Sequence, residues 1–195
     1  MIRRSALREH AAAGILDIAA TVFAEYGEAA SMTDIAKAAG VGRATLYRYF
    51  PSREALVQAL YQTAVSDLFS KIDDANLDAA PVEEALARLT RAAMTMIGKY
   101  RALAVLDSRM DGLDEVNGRL APPFHRIFER GAADGTFGAD LSSSTLMGAY
   151  VGLLRGIGNL VIQGHIGVEE ASAAVTAVFL DGARYRTRPM APNEG

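Results

Sequence analysis

The chain has no cysteine and no tryptophan, only six prolines among 195 residues, and three histidines, His10, His125 and His165, far apart from one another. Without cysteine there is neither a disulfide framework nor a thiolate metal site. The histidines stand in no His-x-x-x-His or Glu-x-x-His spacing, and no serine sits in a nucleophile-elbow pattern. Catalysis therefore has no residue basis, and no metal, no cofactor and no enzymatic activity are expected. No stretch alternates polar and apolar residues as a half-buried strand would. Long hydrophobic runs are missing too: the longest, residues 145–164, is interrupted by Arg155, Asn159 and Gln163 and reads as too polar to span a membrane. The start, MIRRSALREH, is basic but leads into no apolar h-region, so it does not read as a signal peptide. A soluble, cytoplasmic, all-α protein without a membrane partner is the expectation.

Half of the residues are hydrophobic, enough for one core or for a small module beside a larger one. Net charge is −3, which by itself argues against indiscriminate binding of nucleic acid. Residues 1–60 nonetheless carry seven cationic side chains against six acidic ones, and the cations gather at the N-terminus and in residues 43–53.

Residues 31–50, SMTDIAKAAGVGRATLYRYF, hold the sharpest pattern. Ser31 followed by Asp34 is a variant of the capping box and starts a helix whose apolar face is Met32, Ile35, Ala36 and Ala39. Gly40 supplies the left-handed conformation that ends it, and Gly42 stands where a second helix needs its cap. On that second helix Leu46 and Phe50 share one face, while Ala44, Tyr47 and Arg48 point largely away. Two short helices crossing at a glycine turn form a helix-turn-helix. Arg43, Ala44 and Thr45, at the start of the second helix, are placed for base edges. Tyr47, Arg48, Tyr49 and Arg53 offer hydroxyls and charge to phosphates, and Ser31, Thr33 and Gly42 complete the expected contact surface. The competing readings, a solvated helical hairpin or a protein-interaction module, leave the capped turn and the basic aromatic face without a purpose.

Upstream, Ile15, Ala19, Val22, Phe23 and Tyr26 recur at helical spacing up to Gly27, making a three-helix unit. Pro51 ends it, and Ser52 starts a long helix carrying Leu56, Leu60, Ala64, Leu68 and Ile72 on one side. Pro81 begins the next, with Leu86, Leu89, Ala93 and Ile97 inward and its end at Gly98. A short helix is expected over Arg101 to Met110. Asp111 to Asn117 is the least regular section, and Pro122-Pro123 starts or kinks the helix bearing Phe124, Ile127 and Phe128. Caps at Asp140 and Ser142 to Ser144 open a helix through Gln163, and Val168 to Arg184 forms the last. The domain reading is residues 1–52 for the DNA-binding unit, 53–188 for a second, larger helical bundle, and 189–195 for a disordered tail.

Gly148, Gly152 and Gly156 lie four residues apart on one helical stripe. Glycine inside a helix costs about 1 kcal/mol relative to alanine, so something packs close there. With Val175, Val178 and Phe179 the stripe is read as a homodimer seam, two helices from each subunit forming a four-helix bundle. Tight packing inside one subunit is the alternative.

On these residues the chain resembles the TetR family of bacterial transcriptional repressors. The resemblance is strongest over residues 10–56, in Ile35-Ala36, Ala39-Gly40-Val41, Thr45-Leu46-Tyr47, Tyr49-Phe50 and Arg53-Glu54-Ala55-Leu56. It implies about nine helices, a homodimer through the last two, a palindromic DNA operator, a ligand pocket within the bundle, and release from DNA when a small-molecule effector binds. Gly42 stands where the family often has serine, Arg53 where lysine is usual, and Tyr49 where histidine is also common. The implied pocket draws its candidates from helices that would surround it: Met94, Met96, Tyr100, Arg101, Leu106, Arg109, Met110, Phe124, Phe128, Tyr150 and Arg155. Methionines and aromatics suit an apolar or amphipathic effector.

Overall fold

A computed structural model describes residues 2–101, 103, 113–138 and 140–183. Among them are eight α-helices and no strand: α1 (Ile2–Tyr26), α2 (Met32–Ala38), α3 (Arg43–Tyr49), α4 (Arg53–Asp74), α5 (Val82–Lys99), α6 (Leu113–Ala133), α7 (Ser143–Ile162) and α8 (Val168–Ala183). The fold is the all-α arrangement expected. The short helix expected over Arg101 to Met110 lies, apart from Arg101 and Leu103, outside the described residues, as does the tail 189–195.

Local chemistry sets the helix ends. The Ser31 hydroxyl accepts from the Asp34 N–H at 3.2 Å while the Ser31 N–H donates to Asp34 Oδ2 at 3.0 Å, so the capping box is complete at the start of α2. At the other end Gly40 takes φ +66°. The Val41 N–H then reaches the Ala36 carbonyl at 3.0 Å and the Gly40 N–H that of Lys37 at 3.2 Å, the paired bonds of a Schellman turn. Ser52 and Ser142 cap α4 and α7 by accepting from the N–H groups of Ala55 and Thr145.

Two cores result. In the head, Ile15, Phe23, Ile35, Leu46, Leu56 and Leu60 pack together with Met96, Tyr100 and Leu103. In the body, Leu86, Leu89, Met94, Ile127, Phe128, Tyr150, Val175 and Phe179 enclose a second cluster joined by Ile72 of α4. Burying a side chain of this size contributes about 1.5–3 kcal/mol. The head core takes the first half of α4 and the end of α5, so packing runs unbroken across the boundary expected at residue 52.

Several expectations are corrected. Gly98 does not end α5, which continues through Lys99; a Cβ there would meet Val168 Cγ2 at 2.6 Å, so the glycine exists for close approach to α8. Asp111 to Asn117 is not irregular throughout, because α6 begins at Leu113 and runs through Pro122 and Pro123. The two missing proline donors are tolerated because Ile127 and Phe128, one turn on, anchor the helix in the body core. A Cβ at Gly148, Gly152 or Gly156 would meet nothing within 4 Å, whereas one at Gly158 would meet Ile97 Cδ1 at 2.8 Å. Close packing inside the subunit thus falls on Gly158, two residues past Gly156 and on the opposite, buried side of the helix. Finally, α7 is by length and composition apolar enough to cross a membrane, with mean hydropathy 1.4, because Gln163 falls just beyond it and Arg155 is its sole charge. Its Leu146, Tyr150, Leu154, Gly158 and Val161 are buried in the bundle, and the glycine stripe is left outside.

Candidate nucleic-acid interface and apolar cavity

The capped turn fixes α3 on the head by one side. Leu46 is fully buried and Phe50 nearly so, while Arg43, Ala44, Tyr47 and Arg48 are exposed and Thr45 and Tyr49 half-buried. The Arg48 guanidinium lies over the Tyr49 ring at 5.7 Å, a contact that steadies a cation at the surface. Ser31 and Thr33 are exposed at the start of α2, and Gly42 takes an extended backbone with no side chain to cap α3. The Asp34 carboxyl is held below the usual carboxylate range by hydrogen bonds from the Ser31 side chain and backbone. That anion is committed to the cap.

Arg53 also has partners within the protein. Its guanidinium sits 5.2 Å from the Phe23 ring centre and donates to the Glu28 carbonyl at 3.3 Å, half-buried between α4 and the end of α1. It braces the head against α4, so its charge is shared between that carbonyl and the surface.

In the body, a cavity of about 400 Å³ opens among α4, α5, α6 and α7, lined by Leu68, Ala93, Met96, Ile97, Ala121, Phe124, Met147, Val151, Leu154 and Arg155. Nine of the ten are apolar, and Arg155 is the only charge. Of the residues read from the sequence as pocket candidates, Met96, Phe124 and Arg155 are brought together here. Met94, Phe128 and Tyr150 are fully buried in the core instead, because each points to the inner face of its helix. Tyr100 is packed in the head and Arg101 is exposed at the groove between head and body. Leu106, Arg109 and Met110 lie outside the described residues. A second cleft of similar size, by Pro122 and Pro123, is walled by Asp73, Asp78 and Arg126, and there Arg126 Nε already donates to Asp78 Oδ1 at 3.0 Å.

Sequence reasoning missed Leu68, Ala93, Ile97, Met147 and Val151, whose spacing reads as plain core. It also missed a polar cluster at the head–body junction. Lys99 Nζ stands 3.2 Å from Asp17 Oδ1 of α1 and 3.0 Å from Asp67 Oδ2 of α4, and Tyr100 Oη donates to the same Asp67 oxygen at 2.8 Å. Burial pushes the Asp67 carboxyl up, but hydrogen bonds from Tyr100 and Lys99 outweigh it and leave it below the usual range. Burial likewise disfavours the Lys99 ammonium, yet its bonds to Tyr100, Asp67 and Asp17 raise its pKa.

The residues read as a dimer seam divide. Gly148, Gly152, Gly156 and Val178 are exposed, Val178 by 60%. Val175 and Phe179 face the other way, into the subunit's own core, and offer nothing to another chain. On α8 the exposed residues beside Val178 are Ala173, Ala177, Asp181 and Gly182.

Comparison with known proteins agrees with this geometry. The profile described as "Bacterial regulatory proteins, tetR family" matches residues 15–60. The chain is 33% identical over 140 residues to the HTH-type transcriptional repressor KstR2 of Rhodococcus jostii, covering 65% of this chain and 68% of that one. Among solved structures it superposes on the fatty acid degradation regulator FadR of Bacillus halodurans with TM-score 0.67 at 25% identity, covering 88% of this chain and 98% of that one. It also superposes on the regulator LfrR of Mycobacterium smegmatis in complex with proflavine, with TM-score 0.68 at 22% identity over 90% and 98% of the two chains.

Proposed function

The chain belongs to the TetR family of bacterial regulatory proteins and is a DNA-binding transcriptional regulator rather than an enzyme, and we propose that it acts in the cytoplasm as a homodimeric repressor released from a palindromic operator by a small apolar or amphipathic effector. One observation carries the DNA reading: α3 buries Leu46 and Phe50 and leaves Arg43, Ala44, Tyr47 and Arg48 free on its outer side. Arg43 matches the paired acceptors of guanine, Ala44 permits close approach, and Thr45 stands beside them. Tyr47, Arg48 and Tyr49 reach phosphates, which set register without reading sequence. Ser31, Thr33 and Gly42 flank that surface, and Arg53, half-buried at the start of α4, adds its charge to the phosphate grip.

The dimer reading is supported by Gly148, Gly152 and Gly156, exposed on α7, and by Ala177 and Val178, exposed on α8. Small exposed residues allow two helix pairs to approach closely. A two-fold dimer would set its two α3 helices about one DNA turn (~34 Å) apart, hence the palindrome. The effector reading is supported by the cavity, in which Phe124, Met96 and their neighbours would receive an apolar body and Arg155, at the rim, a polar or anionic end.

Titrating the purified protein against duplexes recovered by genomic selection tests the whole. Binding should be tight at low salt and weaken steeply as salt rises, because phosphate contacts release counterions. No binding even at low salt would sink the repressor reading.

A further inference from the structure

The last turn of α5 belongs to two places at once. Met96 and Ile97 are walls of the apolar cavity. Met96 is also buried in the head core together with Tyr100 and Leu103. Between them Lys99 reaches out to Asp17 on α1, at 3.2 Å, and to Asp67 on α4, at 3.0 Å, and Tyr100 holds the second of these carboxylates at 2.8 Å. Next to Asp67 in the chain, Leu68 is another cavity wall, and it packs against both cores. Whatever enters the cavity therefore touches, through Met96 and Leu68, the two helical turns whose polar side chains grip the head.

We propose that Lys99 and Tyr100 are positioning residues for the DNA-reading head, tying Asp17 of α1 and Asp67 of α4 to the end of α5 so that occupancy of the cavity re-sets the orientation of the head through this clamp. Lys99, Asp17 and Asp67 are all partly exposed, and ion pairs of that kind stabilise a fold little. Their value lies in geometry instead. One ammonium bridges α1 and α4, and the phenol, bonded to the same Asp67 oxygen, holds that carboxylate in place. Displacement of the Met96 turn by an occupant moves the Lys99 nitrogen, and with it the point to which α1 is tied. Coupling between two sites needs an element that both can bias, and the end of α5 is such an element.

The inference rests on the reading of the cavity as the effector site and of α3 as the DNA-reading helix. Its test occupies the cavity without knowledge of the effector: Ala93→Phe places a ring among Leu68, Met96 and Phe124. Operator affinity is measured for four full-length proteins, the original chain, Ala93→Phe, Lys99→Met/Tyr100→Phe, and the combination. The paired substitutions keep the lysine stem and the phenyl ring, so apolar packing is retained. Ala93→Phe is expected to change operator affinity about fivefold or more in the original chain, within the usual range of coupling, and by less than about twofold when the clamp is absent. Lys99→Arg with Tyr100 intact should restore the larger factor. The same factor in both backgrounds would overturn the clamp and leave the effector cavity standing. No change in the original chain would remove the cavity reading, and the clamp with it. If Ala93→Phe does not fold by circular dichroism, 1-anilinonaphthalene-8-sulfonate replaces it as occupant, its fluorescence reporting entry. The same comparison then decides: a clamp-dependent shift in operator affinity supports the proposal, while a clamp-independent shift, entry without any shift, or no entry overturns it.

Discussion

Tyr150 and Thr90 share one hydrogen bond at the centre of the body, Oη to Oγ1 at 2.7 Å, between α7 and α5 and out of reach of solvent. The direction of that bond follows from Thr90, whose single hydroxyl proton goes to the Leu86 carbonyl at 2.7 Å. Tyr150 must therefore donate and Thr90 accept. Around them the rings of Phe124, Phe128 and Phe179 stand 5.2–5.9 Å from that of Tyr150, within the range of favourable aromatic pairs.

An asymmetry follows. Tyr150→Phe removes the donor and leaves Thr90 still bonded to Leu86, so it should cost about 1 kcal/mol of unfolding free energy. Thr90→Val keeps the phenol but strips it of its acceptor, stranding a buried O–H at a cost of about 1–3 kcal/mol. Urea titration of the two variants distinguishes them. Equal losses, or a larger loss for Tyr150→Phe, would mean that the bond runs the other way or is not formed in solution.

On the DNA side, Arg43→Ala and Tyr47→Phe should separate. The first removes a side chain proposed to read base edges and should relax preference at particular base pairs by about 1–3 kcal/mol. The second removes one hydroxyl proposed to reach phosphate and should weaken every duplex alike. Binding to a panel of single-substituted operators reads both, and a uniform loss for Arg43→Ala would take it out of base reading.

How far these features could be read beforehand depends on how local their causes are. The capping box at Ser31 and Asp34, the Gly40 turn and the two-sided α3 arise from residues three or four apart, so periodicity alone predicts them. Val175 and Phe179 can be placed outward from the sequence because α8 is apolar on more than one side, and the period of a helix cannot say which side is the inner one. Similarly, the sequence marks Gly98 and Gly158 only as helix glycines; their purpose is set by Val168 and Ile97, which arrive from other helices. Lys99 meets Asp17 and Asp67 solely because three helices converge, and no spacing announces it.

Replacing Gly152 by leucine tests the exposed seam. Inside the subunit a Cβ there meets nothing, and leucine is the better helix former, so the folded monomer should lose nothing and gain up to about 1 kcal/mol. If two copies pack at this stripe, the added bulk holds them apart, and sedimentation should show the monomer mass at concentrations where the unsubstituted chain is a dimer. A variant that stays dimeric with unchanged stability would move the interface elsewhere.

Acid should loosen the head before neutral pH affects it at all. The Asp34 carboxyl has a pKa lowered from its ordinary 3.8 by the Ser31 side chain and backbone. For a group depressed in the folded state, the stabilisation is complete above the unfolded value and disappears as pH falls through the folded one. Asp67 is lowered in the same sense, its bonds to Tyr100 and Lys99 overcoming burial. Lys99 is shifted upward from 10.5 despite burial, so its contribution is complete below that value and is lost only as pH rises beyond it. Between about pH 5 and 10 the cap and the clamp should accordingly contribute a constant amount. Thermal melts across pH 2–5 should show the midpoint falling as pH drops below about 4, with a shallower fall for Asp34→Asn, whose side chain still accepts from Ser31 but no longer titrates. An identical slope for that variant would mean that Asp34 is not bonded to Ser31 in solution, and the start of α2 would have to be capped by the Ser31 hydroxyl alone.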